Sequence, residues 1–306
     1  MSLHLGWICV TCDIVADGIG GSEGMIMANQ QAIDGAEVNS SQPVIHSIGP
    51  GDIRDAIVKG VADFEAMPTH LVFLCVIYPM LMLVIARLFA GYDVLPLVFP
   101  LIAGYTMIGP LVATGMYELS RRREKGLDIA RTHAFEIIRL PSLGAIAKLS
   151  ALLMAIYFVW LGMAWMIYQQ TIGGGVPESI MGFVLQILTT PAGWALIVVG
   201  CGAGFIIATV AFTLSVVSFP MLVDHDVSVG LAIQTSIRAV AASPITMGMW
   251  AFIVVASLLI GSLPFFVGLA VVLPVLGHST WHLYRKAVGH VEVSHSVEEG
   301  ETSTAS

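Results

Sequence analysis

YELSRRREKGLDIARTHAFEIIRLPSLGAIAK, residues 117–148, holds seven of the chain's 13 Lys and Arg residues, and long apolar runs lie on both sides of it. The seven are Arg121, Arg122, Arg123, Lys125, Arg131, Arg139 and Lys148. Ser150 to Tyr168 and Trp194 to Val223 then carry no charge. A helix of about 20 apolar residues crosses the hydrocarbon layer, and Lys and Arg collect in cytoplasmic loops. The segment therefore reads as a cytoplasmic connector between spanning helices, and the chain as an all-α polytopic membrane protein.

The composition agrees. Of 306 residues, 57% are hydrophobic and 11% charged, against roughly 25% charged in ordinary globular domains. The net charge of −8 comes mainly from two polar tails, and outside the connector there is no basic face with interleaved aromatics, so nucleic acid is not an expected partner. Cys75 and Cys201 fall in apolar stretches. Cys9 and Cys12 form a CxxC without the second Cys/His pair that a tetrahedral zinc site needs. No cofactor is expected. Residues 1–50 lack periodicity and are expected to be disordered, with translation starting at Met25 or Met27, and the acidic tail 289–306 is expected to be disordered as well.

Six spans can be drawn: His70–Ala90, Val94–Tyr117, Lys148–Tyr168, Trp194–Val223, Ile245–Leu263 and Pro264–Tyr284. The boundary between the last two is the weakest. Six crossings place Arg54, Lys59, the seven connector residues, Arg238, Arg285 and Lys286 on one side, with Arg87 able to reach the far interface. This pattern predicts an inner-membrane protein with both termini cytoplasmic. Partners would be the lipid bilayer and a membrane protein or a second copy of the chain.

A repeat of three units is expected within the membrane domain 51–288: 51–125, 126–226 and 227–288. Each unit would be a hairpin preceded by a cytoplasmic interfacial amphipathic helix. Four, seven and eleven residues before Pro68 stand Phe64, Val61 and Ile57. Before Pro141 they are Ile137, Ala134 and Ala130, and before Pro244 they are Val240, Ile237 and Ile233. This spacing puts each trio on one helix face. Pro110 and Pro274 are followed in register by Tyr117 and Trp281, Glu118 and His282, Leu119 and Leu283, and Arg121 and Arg285. Pro220 begins the same pattern and departs at Asp224. Pro177–Thr190 could add a second interfacial helix on the outer side, using Ile180, Phe183, Val184, Ile187 and Leu188.

Candidate chemistry is sparse. Apart from Arg87, the spans hold no Asp, Glu, Lys or Arg at mid-membrane depth, which speaks against an ion pump. Tyr105, Thr106, Thr209, Thr213 and Ser215 suit interhelical hydrogen bonds, and Gly200, Gly202 and Gly204 suit a packing face. His278 and His282, at i and i+4, could ligate a metal or haem iron. Their place beside Trp281, Tyr284 and Arg285 fits an interfacial belt better. Asp224 or Asp226 is expected to cap the helix opening near Val227. No Ser/His/Asp set, phosphate loop or paired catalytic carboxylates stands out, so no catalytic residue is assigned.

Two stretches carry a family resemblance. They are Phe219-Pro220-Met221-Leu222-Val223-Asp224 with Ser236, Arg238, Ala239 and Pro244, and Gly268-Leu269 through Pro274 with Gly277-His278-Ser279-Thr280-Trp281-His282-Leu283-Tyr284-Arg285. Both resemble an uncharacterised bacterial integral membrane family catalogued as domain of unknown function 2189, over about Val44 to Val288. Members are sometimes labelled cytochrome c oxidase-like, yet this chain lacks the several intramembrane histidines of haem–copper chemistry. The resemblance implies no catalytic residues. The expected function is a non-catalytic scaffold or accessory of a membrane complex; the alternative is a carrier or channel for a neutral or lipidic molecule.

Overall fold

Pro50 opens the first helix, α1 (Pro50–Ala66), where its fixed φ suits the first turn and its missing N–H costs nothing. The Asp52 carboxylate accepts the Gly49 N–H at 2.9 Å and completes the start. The computed structural model describes residues 43–67, 95–127, 141–173, 179–263 and 268–289. The helices that follow are α2 (Leu95–Glu124), α3 (Leu143–Thr171), α4 (Ile180–Thr189), α5 (Pro191–Ser215), α6 (Ser218–Asp224), α7 (Val229–Ala242), α8 (Pro244–Ser262) and α9 (Leu269–Ala287). Among the described residues there is no strand, only an isolated antiparallel bridge between Ile45 and Val288.

Three of these stretches are long and apolar enough to cross a membrane: α3, Pro191–Asp224 (α5 continuing into α6) and α8. The protein interior buries 22% or less of the most apolar part of each. Phe158, Phe205 and Phe252 are 62%, 73% and 73% exposed. So much apolar surface turned outward suits hydrocarbon, not water. The expected spans Val94–Tyr117 and Pro264–Tyr284 fall on α2 and α9, while His70–Ala90 and the amphipathic stretch before Pro141 lie outside the described residues, as do both tails beyond residues 43 and 289. In α9 Leu269, Ala270, Pro274, Gly277, His278, Ser279, Trp281, Leu283, Tyr284 and Ala287 are buried, so this helix is central.

α1 and α7 form ahead of Pro68 and Pro244 as expected, but they bury a different face. In α1 the buried stripe is Ile53, Ala56, Gly60 and Asp63. In α7 it is Ala232, Thr235, Ser236 and Ala239. The bulky residues Ile57, Val61 and Phe64 are half-buried, and Ile237 is 44% exposed. Small side chains seat these helices because they let backbones approach closely. A Cβ at Gly60 would lie 2.2 Å from Ser279 Oγ and 2.7 Å from its backbone N.

Two further expectations need correcting. Residues 44–49 do not belong to an unstructured N-terminal region. His46 N–H donates to the Ala287 carbonyl and Gly289 N–H to that of Val44, each at 2.9 Å, and Ser243 Oγ accepts the Ile48 N–H at 2.9 Å. The helix α5–α6 breaks at Val216–Val217 because Pro220 cannot supply the N–H that Val216 would accept. Ser236 Oγ enters the ladder there, donating to Thr213 O at 2.6 Å and accepting from Val217 N–H at 3.2 Å. Ser236 on Val217 and Gly60 on Ser279 both stand eight residues before their proline. Packing therefore aligns Val217 with Ser279 and Phe219 with Trp281, so Pro220 does not take the place of Pro274 as the sequence pattern suggested, and the Phe219 and Trp281 rings are both fully buried.

Helix α4 starts at Ser179, whose Oγ accepts the Gly182 N–H at 3.1 Å. Its Phe183 packs edge-on against Tyr168 while Met181, Val184, Leu185 and Leu188 stay exposed. A Cβ at Gly204 would lie 3.0 Å from the Trp160 ring, whereas Gly200 and Gly202 face open space. Thr209 bonds back to Phe205 O of its own helix at 2.8 Å instead of reaching a neighbour.

Candidate functional site

Packing α1 against α2 and α9 draws together residues far apart in sequence. Met67, Met116, Leu119 and Ala270 close an apolar plug where the three meet. A Cβ at Gly277 would lie 2.6 Å from Met116 Sδ, which shows how closely α9 approaches α2 there. Just beyond this plug the polar side chains converge.

Asp63 is their centre. Its Oδ2 accepts from Ser120 Oγ at 2.6 Å and from His282 Nε2 at 2.9 Å. Its Oδ1 accepts from Arg123 Nη1 at 2.5 Å. His278 Nδ1 lies 2.6 Å from Ser120 Oγ. Burial alone would push the Asp63 carboxyl up, but the bonds from His282 and Ser120, with the electrostatic pull of the neighbouring imidazoles, outweigh it and hold the group below its ordinary value. Asp63 is therefore an ionised anchor. A carboxylate is acceptor-only, so Ser120 donates to it and His278 Nδ1–H donates to Ser120.

Three more carboxylates follow. Glu118, 2% exposed in its side chain, accepts from Arg121 Nε and Nη2 at 2.7 and 2.9 Å and from Arg122 Nε at 2.9 Å. Asp224 accepts from Arg285 Nη1 at 3.1 Å and from Tyr284 Oη at 3.3 Å. Glu124 takes Trp281 Nε1 at 3.1 Å and Arg285 Nε at 3.2 Å. On the rim, Lys286 Nζ reaches Asp52 and Asp55 at 3.0 and 2.8 Å. Most of the arginines that mark the connector in the sequence thus clamp carboxylates of the fold.

This placement revises the reading of His278 and His282. They are not belt residues: His278 is fully buried, as are Trp281 and Tyr284 beside it. Both imidazoles turn a ring nitrogen to the Asp63–Ser120 pair. Among the described residues no group of three or more His, Cys, Asp and Glu side chains is arranged to hold a metal. Asp224 does not cap the next helix; Ser228 does, accepting the Leu231 N–H at 3.2 Å. Ser120, His278 and Asp63 do meet, though no spacing along the chain pointed to it. The order differs from a nucleophile triad, because the hydroxyl stands between the other two and is itself buried.

No curated protein and no solved structure matches the chain. Residues 98–224, from α2 to the Asp224 that holds Arg285, match the family model described as predicted integral membrane protein (DUF2189), the family that the sequence resembles.

Proposed function

We propose that the chain is a non-catalytic inner-membrane protein that serves as scaffold or accessory to a membrane complex. The observation that carries this reading is how the buried acids are used. Asp63, Glu118 and Asp224 each face arginines of the same chain and join helix to helix or brace a helix end. Groups engaged in this way fix a shape and leave little free for a substrate. A carrier for a neutral or lipidic molecule is the second reading, favoured by the helix break at Val216–Val217, since interrupted spans often line transport sites.

The architecture behind this reading is three hairpins, each with a surface helix, and six crossings with both ends cytoplasmic. Contacts between chain positions support an even count. Asp63 bonds Ser120 and Arg123, so the chain leaves one face and returns to it between them. In this reading α2 is one passage, and the expected span His70–Ala90, which lies outside the described residues, is its partner. Asp224 bonds Arg285 across α8, which requires α9 to come back. Lys125 Nζ lies 3.7 Å from Asp224 with two candidate spans between. The bulky stripes of α1 and α7 then lie in the cytoplasmic leaflet, and the exposed stripe of α4 in the outer one.

The test is isolation from native membranes in mild detergent. A membrane protein partner in fixed stoichiometry, dissociated by charge reversal on the exposed rim, is the expected outcome. Transport of a neutral solute by the purified chain in liposomes, with no partner retained, would replace this proposal by the second reading.

A further inference from the structure

The side chains joining α1 to α2 and α9 make an unbroken run of short contacts from His282 through Asp63 and Ser120 to His278, at 2.9, 2.6 and 2.6 Å. The run has a wet end and a dry end. The His282 side chain is 14% exposed, while His278 is 0% exposed. One turn of α9 separates the imidazoles, a rise of about 6 Å.

Hydrogen-bond roles fix where a further proton can go. With Asp63 ionised, His282 Nε2–H donates to it, and His278 Nδ1–H donates to the Ser120 hydroxyl, whose own proton goes to Asp63. Each neutral imidazole then keeps one basic nitrogen, Nδ1 of His282 and Nε2 of His278. Both rings lean on the same carboxylate, one directly and one through a hydroxyl.

We propose that Asp63, Ser120, His278 and His282 form a proton-binding site that holds one proton on the paired imidazoles, taken up from water through His282. A first imidazolium is stabilised by the shared carboxylate. A second would stand near it in a buried place where Arg123 already balances Asp63, so like-charge repulsion opposes it. The other charges on these three helices pair among themselves: Lys59 with Asp55, Glu118 with Arg121 and Arg122, Glu124 with Arg285, and Lys286 with Asp52 and Asp55. Arg54 and Glu65 are exposed. Because the carboxylate is on α1 and the imidazoles on α9, occupancy is felt where α1 is seated. This goes beyond a scaffold role and does not depend on it.

The experiment is NMR titration of the full chain in lipid nanodiscs with isotope-labelled histidine, the two resonances assigned by His278→Gln and His282→Gln. From neutral pH down to the pH at which Asp63 itself takes up a proton, the pair is expected to bind one proton where independent imidazoles would bind two. Ser120→Ala should shift the His278 step, and His282→Gln should leave His278 to bind the proton alone. Two full independent steps, no step at either ring, or a His278 titration indifferent to both substitutions would overturn the proposal. If Ser120→Ala fails to fold, His282→Gln decides, since it leaves Asp63, Ser120 and Arg123 in contact.

Discussion

Gly60→Ala probes the seat of α1 on α9. An ideal methyl at residue 60 would stand 2.2 Å from Ser279 Oγ, 2.7 Å from its backbone N and 2.9 Å from its Cα. A hydroxyl can rotate away, but backbone cannot, so the helices must separate. Alanine is favoured over glycine inside a helix by about 1 kcal/mol. Overpacking costs about 1–3 kcal/mol, and separation also stretches the bonds from Asp63 to α2 and α9. The balance is a net loss of about 1–2 kcal/mol. Gly51→Ala on the same helix, with nothing within 4 Å of its added methyl, is the control and should be neutral or slightly stabilising. Adding Ser279→Ala to Gly60→Ala removes only the 2.2 Å contact and should restore part of the loss. Equilibrium unfolding of the full chain in mixed micelles, followed by near-ultraviolet dichroism, reads all four proteins. A Gly60→Ala protein as stable as the parent, or complete recovery with Ser279→Ala, would refute this close packing.

Ser236→Ala takes away the hydroxyl inserted between Thr213 and Val217, leaving a buried N–H without its acceptor; the same unfolding assay should show a loss of about 1–3 kcal/mol, with faster amide exchange at Val217, and unchanged values would count against the insertion. Asp63 is held below its ordinary value in the folded chain, so its contribution is present above about pH 4 and is lost as pH falls through the lower folded value. Asp63→Asn should flatten that acid limb of stability, and a limb that survives the substitution would mean other groups control it. In a chain without its native cysteines, Gly51→Cys should react with an impermeant maleimide from the cytoplasmic side and Ser179→Cys from the opposite side; labelling of both from one side contradicts the three crossings proposed between them, the hairpin that α2 completes and then α3.

How much was legible depended on the range of the interaction. Spans are local statements: Ser150–Tyr168 and Trp194–Val223 lack charge over the length a bilayer requires, and α3 and α5 form on them. Helix α1 was visible from the spacing of Ile57, Val61 and Phe64, but its seating was not, because a face of Ala56, Gly60 and Asp63 carries no hydrophobic signal. The polar cluster was hidden by distance along the chain, with 219 positions between Asp63 and His282 and 158 between Ser120 and His278. One clue was present: Asp63 shares its helix face with small residues, an unusual place for a free acid. Trp281 and Tyr284 read as belt residues because such rings often sit at the headgroups, but the crowding of α9 by α1 and α2 decided otherwise, and periodicity does not reveal which helix is central.

The clasp between Ile45 and Val288 places Val44 and Gly289 a hydrogen bond apart, Gly289 N to Val44 O at 2.9 Å. A short glycine linker could splice those two positions together, and new ends could be opened between residues 173 and 179. The circularly permuted polypeptide would begin with α4 and finish with α3 while keeping every helix in its original direction.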